Sequence, residues 1–334
     1  MSGIRYSNLK KILLNLMPAK EPVLITGRPG IGKTSLIHEV QNELGYDLMI
    51  SHPVVKEPID YKGLPFVHVS KDGAVKADFY PYGELTDLMQ ATKPTIWFID
   101  DLGQARPQVQ APLMQIILER AIDGVPISPE IRIVAATNRR EDNAAVQGLI
   151  TPLIDRFIGV FELEYDHDDF LTWGRTESRV PSVVLAFISY RPELMSKYAV
   201  SRNIEKTPTP RSVAGLGRLV QYGIDDRQAY IAAVGEGFGS EFGAFIQVWK
   251  SLPDLKKIWK NPAKEPVPAK LDVKYALMAA LAERTTKDEM AATVTYLLRV
   301  EPEFSMFCMK DLIGRKPALV THSAFAEWTK AHAF

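Results

Sequence analysis

Residues 27–34 read Gly27-Arg-Pro-Gly30-Ile-Gly32-Lys33-Thr34, which matches the spacing G-x-x-x-x-G-K-[ST]. This segment constrains the fold most, because it follows an apolar strand candidate, Val23-Leu24-Ile25, and opens a helical pattern that runs to about Leu44. Glycines let backbone N–H groups turn inward on a phosphate, and the start of a helix adds a favourable dipole. A chance glycine-rich turn would lack this context. The sequence therefore predicts a phosphate-binding loop (P-loop) between a strand and its crossover helix.

The loop offers charged, hydroxyl and backbone groups to a nucleotide. We expect Lys33 to reach the β- and γ-phosphates and the hydroxyl of Thr34 to ligate Mg²⁺. The other contacts are expected from the loop backbone and the first turn of the helix. The predicted nucleotide-binding residues are Gly27, Arg28, Pro29, Gly30, Ile31, Gly32, Lys33, Thr34 and Ser35.

Two carboxylates follow a second strand candidate. The run from Thr95 reads Thr-Ile-Trp-Phe-Ile and ends on Asp100 and Asp101. Uninterrupted apolar strands are typical of a parallel sheet covered on both faces. Next to a P-loop, Asp100 is placed to hold Mg²⁺ through water, and Asp101 to orient or deprotonate an attacking water. The alternative is that both are merely polar residues that end a strand.

A third strand candidate, Ile131 to Ala136, ends on Thr137 and Asn138. If this strand lies between the other two, Asn138 comes beside the γ-phosphate, where its amide can position water. Taken alone, a Thr-Asn pair at a strand end is more often a simple cap. The two motifs upstream favour the catalytic interpretation.

The two halves of the chain have different patterns. Up to about residue 165, apolar runs alternate with helical patterns, which predicts a three-layer αβα domain with a parallel sheet. Further strands are expected at 47–51 and 157–163, and a helix at 108–120. Residues 166–334 show no strand signal and predict an all-α region. Its expected helices are 168–178, 181–190, 192–199, 211–223, 227–234, 239–251, 272–284, 287–299, 302–313 and 320–331.

A hairpin is predicted inside the first domain, from about Phe66 to Phe79. Asp72-Gly73 between alternating arms is a strong short-range hairpin signal. A hairpin inserted in an α/β domain has to lie on its surface, so it is a candidate functional loop.

Composition excludes several classes of protein. The 40 basic and 40 acidic residues cancel, so the chain lacks the basic excess of a dedicated nucleic-acid binder. The single cysteine, Cys308, excludes a disulfide framework and suits a reducing compartment. No run of residues approaches the length of a membrane span, and the first residues read as an amphipathic helix rather than a signal peptide. We therefore expect a cytoplasmic protein.

With these motifs in order, the chain resembles the AAA+ ATPases, and specifically the MoxR-type branch. The segment Asp100-Asp-Leu-Gly-Gln-Ala-Arg-Pro-Gln-Val-Gln-Ala-Pro-Leu-Met114 looks like that branch's Walker B strand and the helix after it. Asn138-Arg-Arg-Glu-Asp142 and Thr151-Pro-Leu-Ile-Asp-Arg156 are similar to its sensor 1 and arginine-finger segments. Thr209-Pro-Arg211-Ser212 looks like part of its lid. The resemblance covers essentially the whole chain and implies ATP or ADP and Mg²⁺ as cofactors.

The resemblance implies roles for further arginines. Arg156 matches the arginine finger, which reaches the γ-phosphate bound by the neighbouring subunit of a ring. Arg211 matches sensor 2, the lid arginine that contacts the nucleotide. Read without the family, Arg156 is a surface arginine near Asp155, and Arg211 is a surface arginine in a first helical turn. Arg139 and Arg140 are additional candidates for the subunit interface.

One position departs from the family pattern. The family has Asp-Glu at the end of the Walker B strand, whereas this chain has Asp100-Asp101. Asp is one methylene shorter than Glu, so its carboxylate reaches about 1 Å less, a displacement large enough to lower the rate of catalysis. Two outcomes are open: slow hydrolysis, or a slightly different placement of the helix that follows.

The resemblance implies Mg-ATP hydrolysis in a ring of identical subunits, usually a hexamer in this superfamily. It further implies chaperone-like remodelling or metal-centre maturation of a client, often with a partner that carries a von Willebrand factor A domain. Two alternatives stay open. The first is a nucleic-acid motor or loader, for which the hairpin offers Lys71 and Lys76 but also Asp72 and Asp78. The second is a regulatory scaffold that binds ATP and hardly hydrolyses it.

Overall fold

The computed structural model describes residues 3–69, 73, 75–142, 148–196 and 205–332. The chain divides into two compact units, Met1–Asp166 and His167–Phe334. No helix in the described ranges has both the length and the apolar character that a membrane span requires.

The described strands all belong to the first unit. Five of them form a parallel sheet in the order β2-β5-β8-β1-β9, and two small antiparallel pairs, β3-β4 and β6-β7, stand apart from it. The strands are β1 (Val23–Gly27), β2 (Asp47–Ser51), β3 (Leu64–Val69), β4 (Val75–Tyr80), β5 (Thr95–Ile99), β6 (Ala121–Ile122), β7 (Val125–Pro126), β8 (Ile131–Thr137) and β9 (Gly159–Leu163).

Helices cover both faces of this sheet. Successive residues of a strand point to opposite faces, so Val23 and Ile25 of β1 join one hydrophobic cluster while Leu24 joins the other. The helices of the unit are α1 (Tyr6–Ala19), α2 (Lys33–Leu44), α3 (Glu84–Gln90), α4 (Pro107–Glu119) and α5 (Thr151–Ile154). The first two pack in the cluster with Val23, and α4 and α5 in the cluster with Leu24. The predicted αβα class is therefore confirmed.

The register of the sheet places three strand ends side by side. Thr26 of β1 lies opposite Thr137 of β8, and Ile99 of β5 lies opposite Ala135 of β8. Because β8 lies between β1 and β5, the residues that leave these three strands emerge at the same sheet edge. In open α/β sheets this edge is where ligands bind.

Strands β3 and β4 form the hairpin expected from the sequence, with the pairs Leu64↔Tyr80 to Val69↔Val75. The turn prediction depended on Asp72-Gly73, of which Asp72 lies outside the described residues, as does Lys71. One face of the hairpin is entirely apolar and exposed. Its residues are Pro65, Val67, Val69, Val75, Ala77 and Phe79.

The described part of the second unit is entirely helical. Its helices from α11 onward enclose a hydrophobic core in which the lone cysteine, Cys308, is fully buried. Burial raises the pKa of the Cys308 thiol. The helices are α6 (His167–Arg175), α7 (Ser182–Tyr190), α8 (Pro210–Gln221), α9 (Arg227–Val234), α10 (Glu236–Lys250), α11 (Leu255–Lys260), α12 (Leu271–Arg284), α13 (Met290–Leu297), α14 (Pro302–Arg315) and α15 (Ser323–Ala331).

Several boundaries differ from the sequence-based expectation. The helix predicted at 168–178 ends at Arg175, because Glu177 and Ser178 adopt positive φ angles of 52° that an α-helix cannot contain. In place of a helix at 192–199 there is a 3₁₀ helix at Pro192–Ser196, and residues 197–199 lie outside the described ranges. Three helices, α3, α5 and α11, were not expected from the sequence. They have only 7, 4 and 6 residues, too few to show a clear helical period.

Candidate active site

The P-loop connects the end of β1 to the first turn of α2. Gly30 and Gly32 have φ angles of +73° and +113°, conformations that side-chain-bearing residues rarely adopt. Gly32 is the N-cap of α2, so the backbone N–H groups at the start of the helix face the loop, as an anion site requires. Lys33, Thr34 and Ser35 occupy the first turn, and the remaining predicted nucleotide-binding residues form the end of β1 and the loop itself.

The ammonium group of Lys33 lies at the centre of this edge of the sheet. It is buried and donates hydrogen bonds to the carbonyls of Gly27 (2.9 Å) and Arg28 (3.2 Å). It also donates to Oδ1 of Asn138 at 2.7 Å. Lys33 is therefore held by the loop it follows and by the end of β8.

Thr34 and Asp100 form a pair of oxygen ligands. The Thr34 hydroxyl donates to Oδ2 of Asp100 at 2.9 Å. The backbone N–H of Asp100 donates to the Ser51 carbonyl at 2.9 Å, which continues the pairing of β5 with β2. Mg²⁺ prefers hard oxygen donors and takes one or two from the protein, with water and phosphate supplying the rest. A hydroxyl and a carboxylate at this spacing fit such an ion.

Asp101 leaves the strand in an unusual conformation. Its φ and ψ angles of 56° and 32° lie in the left-handed region, and a 3₁₀ helix at Leu102–Gln104 follows at once. Oδ1 of Asp101 accepts hydrogen bonds from Nε2 of Gln104 at 2.8 Å and from Nδ2 of Asn138 at 3.2 Å. The sequence left open whether the short side chain would alter the following segment. In the structure the backbone of Asp101 itself adopts the left-handed conformation, and the side-chain amides of Gln104 and Asn138 hold its carboxylate.

Asn138 connects the P-loop lysine to the second carboxylate. Its Oδ1 accepts from Lys33, and its Nδ2 donates to Asp101. An ammonium can only donate and a carboxylate can only accept, so both neighbours dictate the same orientation of the amide. Lys33, Asn138 and Asp101 thus form a continuous chain of hydrogen bonds along the sheet edge, next to Thr34 and Asp100.

Two contributions to this site were missed from the sequence. Gln104 contacts Asp101, but nothing in the spacing of the motif indicated a role for it. The buried phenol of Tyr61 shares a hydrogen bond of 2.7 Å with the Ser51 hydroxyl, beneath the backbone contact that holds Asp100. Burial raises the pKa of Tyr61, so the phenol stays protonated. Neither contact has a signature in the local pattern: Gln104 and Asp101 are three residues apart, Ser51 and Tyr61 are ten apart, and only the path of the backbone brings each pair together.

Arg156 lies elsewhere in the first unit. It follows α5, and its Nη1 donates to the carbonyl of Pro152, while its Nε is buried without a hydrogen-bond partner among the described residues. Within those residues it makes no hydrogen bond to the five side chains above. Arg211 belongs to the second unit, where it is exposed in the first turn of α8.

Arg139 is bound within its own subunit. Its guanidinium makes two hydrogen bonds of 2.9 Å to the carboxylate of Asp142 and one of 3.0 Å to Glu162. These hydrogen bonds, that to Asp142 first, raise the pKa of Arg139. A guanidinium with three such contacts in its own chain braces the end of β8 against β9. A role for Arg139 at a subunit interface stays a prediction.

Comparison with known proteins identifies the first unit. The model of the family "ATPase family associated with various cellular activities (AAA)" matches residues 23–165, which contain every element of the site just described. MoxR from Methylorubrum extorquens is 27% identical over 155 residues, or 45% of this chain and 43% of MoxR. Residues 23–165 therefore match the AAA family, and part of the chain is similar to MoxR. The match thus spans less than half of the length of MoxR.

Two solved structures match over a larger share of the chain, at lower sequence identity. RuvB from Thermotoga maritima, a Holliday junction branch migration motor, is 21% identical and has a TM-score of 0.41, with 82% of this chain and 80% of RuvB covered. NtrX from Brucella abortus in complex with ADP is 14% identical and has a TM-score of 0.43, with 98% and 68% covered. The AAA+ assignment itself rests on the sequence matches and on the geometry of the P-loop edge.

Proposed function

We propose that the AAA+ domain hydrolyses ATP to ADP and phosphate with Mg²⁺. The observation that carries this proposal is the hydrogen-bonded chain Lys33–Asn138–Asp101 beside the Thr34–Asp100 pair. It places one cation, one amide and two carboxylates at the carboxyl ends of adjacent parallel strands. Such a set matches the separate tasks of phosphate binding, water positioning, proton acceptance and metal binding.

Each side chain has a distinct task in this mechanism. Lys33 neutralises charge on the β- and γ-phosphates, and the N-terminus of α2 adds backbone donors. Thr34 and Asp100 would hold Mg²⁺, which supplies Lewis-acid stabilisation of the phosphate oxygens when bound. Asp101 accepts the proton of the water that attacks the γ-phosphorus, and the bond to the bridging oxygen of ADP breaks. Oδ2 of Asp101 suits this task because, among the described residues, it accepts no hydrogen bond.

We propose further that the subunits act as a ring, usually a hexamer in this superfamily. Arg156 would reach the nucleotide of the neighbouring subunit, and Arg211 would contact nucleotide from the helical unit acting as a lid. An arginine-finger role is supported by a half-buried guanidinium that has no acidic partner among the described residues. A cation of this kind stabilises charge that develops in phosphoryl transfer.

We propose that the ring remodels or matures a client protein in the cytoplasm. Its partners would include proteins with a von Willebrand factor A domain. The exposed face of the hairpin supports a protein client over a nucleic acid. Val67, Val69 and Val75 are 62%, 68% and 72% exposed, and the residues described on that face include no charged one. Contact with a phosphate backbone would instead require basic side chains.

A turnover assay tests the proposed hydrolysis. Wild-type protein should release phosphate from Mg-ATP, and Asp101→Asn should bind ATP with little change while turnover falls by about two to four orders of magnitude, as for loss of a general base. Undiminished turnover in the variant would mean that another residue activates the water. Absence of turnover in the wild type would favour the ATP-binding scaffold. The Asp101→Asn protein, which should bind ATP without hydrolysing it, also serves as the bait for affinity capture of the client.

A further inference from the structure

Gln104 lies against the carboxylate that the proposed mechanism uses as a base. Its Nε2 donates to Oδ1 of Asp101 at 2.8 Å, a shorter contact than the 3.2 Å from Asn138. The carboxylate can only accept, so the amide nitrogen of Gln104 must face it. The amide oxygen is then directed away from Asp101, and it is buried without a hydrogen-bond partner among the described residues.

This arrangement is costly for folding. A buried acceptor without a partner destabilises the folded state. The left-handed backbone of Asp101 adds a further cost, because residues other than glycine rarely adopt it. Both costs fall on the same short segment, Asp101 to Gln104. Unfavourable local geometry of this kind is characteristic of functional sites.

We propose that Gln104 is a positioning residue that compensates for the short side chain of Asp101. With one methylene less than Glu, the carboxylate has a shorter reach from the end of β5. The turned backbone brings it towards β8, and Gln104 on one side and Asn138 on the other fix one of its oxygens. The orientation of the other oxygen, Oδ2, is thereby fixed as well, so that it can accept the proton. This inference rests on the proposed hydrolysis and adds a residue to it.

The contact predicts a specific kinetic signature. Gln104→Met keeps the size of the side chain but removes the donor, so kcat should fall by about 10- to 100-fold, the range expected for a misplaced catalytic group. KM for ATP and the affinity for ADP should stay within about twofold, because the hydrogen bond that Gln104 makes among the described residues goes to Asp101 and not to the P-loop. The thermal midpoint should stay the same or rise, since the orphaned acceptor is gone.

Two further variants complete the test. Gln104→Glu keeps the length of the side chain but replaces the donor with a carboxylate that cannot donate, so kcat should fall at least as far as in Gln104→Met. Gln115→Met is the matched control, because Gln115 makes a contact of the same kind, 2.9 Å to the exposed carboxylate of Glu119 on α4. It should leave kcat unchanged.

The outcomes separate this inference from the proposed function. Wild-type turnover with full turnover in Gln104→Met overturns the positioning role and leaves hydrolysis intact. Absence of turnover in the wild type overturns hydrolysis, and crystal structures of wild type and Gln104→Met then decide the remaining question. A carboxylate of Asp101 that leaves Asn138 in the variant supports the positioning role, and one that stays in place refutes it.

Discussion

Lys33 is the residue on which nucleotide binding should depend most. Its buried ammonium already has three oxygen acceptors, which keep it at the mouth of the loop. Lys33→Ala should weaken ATP binding by at least about 2–3 kcal/mol, on the order of 100-fold, because a charge-assisted contact to phosphate is lost. Titration with a fluorescent ATP analogue measures this.

Lys10→Ala is the control for that variant. Lys10 also places an ammonium against α2, at 3.3 Å from Glu39 and 2.9 Å from Glu43, but towards the side chains of the helix rather than its phosphate-binding end. Its removal should leave ATP affinity unchanged. Equal binding by Lys33→Ala and wild type would remove the P-loop assignment.

Residue-level prediction from the sequence succeeded where a motif has a fixed local geometry. The glycines, Lys33 and Thr34 are contiguous, so their spacing alone defines the loop and the helix that follows it. Gln104 is different, because its role arises from the positive φ of Asp101, which turns the chain so that residue 104 meets the side chain of residue 101. A backbone angle of this kind has no signature in the pattern of apolar and polar residues.

At the scale of elements, a buried charge cluster joins α6 to α14 in the second unit. The side chain of Asp311 is completely buried, and Oδ1 lies 3.4 Å from Nε of Arg175 and 3.1 Å from Nε of Arg315. Arg315 also donates to the carbonyl of Val180, which leads into α7. Both guanidinium groups are nearly buried, so the negative charge of Asp311 is needed to offset their positive charges.

Asp311→Ala should therefore destabilise the second unit by about 3–5 kcal/mol, because two buried arginines lose their counter-ion. Chemical denaturation followed by circular dichroism gives the free energy of unfolding. The control is Asp225→Ala, which breaks an exposed ion pair with Lys250 and should scarcely change stability. If the two variants unfold alike, the cluster contributes nothing beyond its packing.

Elements of the sheet were predicted well, and short helices were not. A strand such as β5 is buried along its whole length and stands out as an apolar run. Helix α11 has 6 residues, and the side chain of Asp254 caps its N-terminus. Packing of Leu255 and Ile258 in the core of the second unit stabilises it. Tertiary packing, rather than a helical period, decides such elements.

At the scale of the whole molecule, the proposed ring can be tested through Arg156. If this residue acts on the nucleotide of a neighbour, each Arg156→Ala subunit inactivates a site that belongs to another chain. Arg156→Ala and Lys33→Ala subunits, each inactive in an assembly of its own, should then regain ATP turnover when they are mixed, because an intact P-loop of one variant can meet an intact arginine of the other. Size-exclusion chromatography with light scattering, at the concentrations of the assay, establishes whether the subunits assemble.

Arg227→Ala provides the comparison for the mixing experiment, since Arg227 is exposed and contacts Ser240 within its own helical unit. Its own assemblies should keep full activity without a second variant. Mixtures of Arg156→Ala and Lys33→Ala that stay inactive would show that the arginine does not act in trans. Measurement of turnover with and without DNA at two salt concentrations addresses the nucleic-acid motor, whose stimulation should weaken as salt rises.

By itself, the sequence determined the αβα class, the P-loop and the two carboxylates that follow β5. These features follow from local spacing, from the period of two along buried strands and from the special backbone needs of glycine. Only the tertiary structure decided that β8 lies between β1 and β5, which brings Asn138 into contact with both Lys33 and Asp101. Strand order depends on packing between residues more than 100 positions apart, as with Lys33 and Asn138. Local pattern carries no record of such contacts, so the chain of hydrogen bonds that makes this edge a candidate active site becomes visible only in the folded molecule.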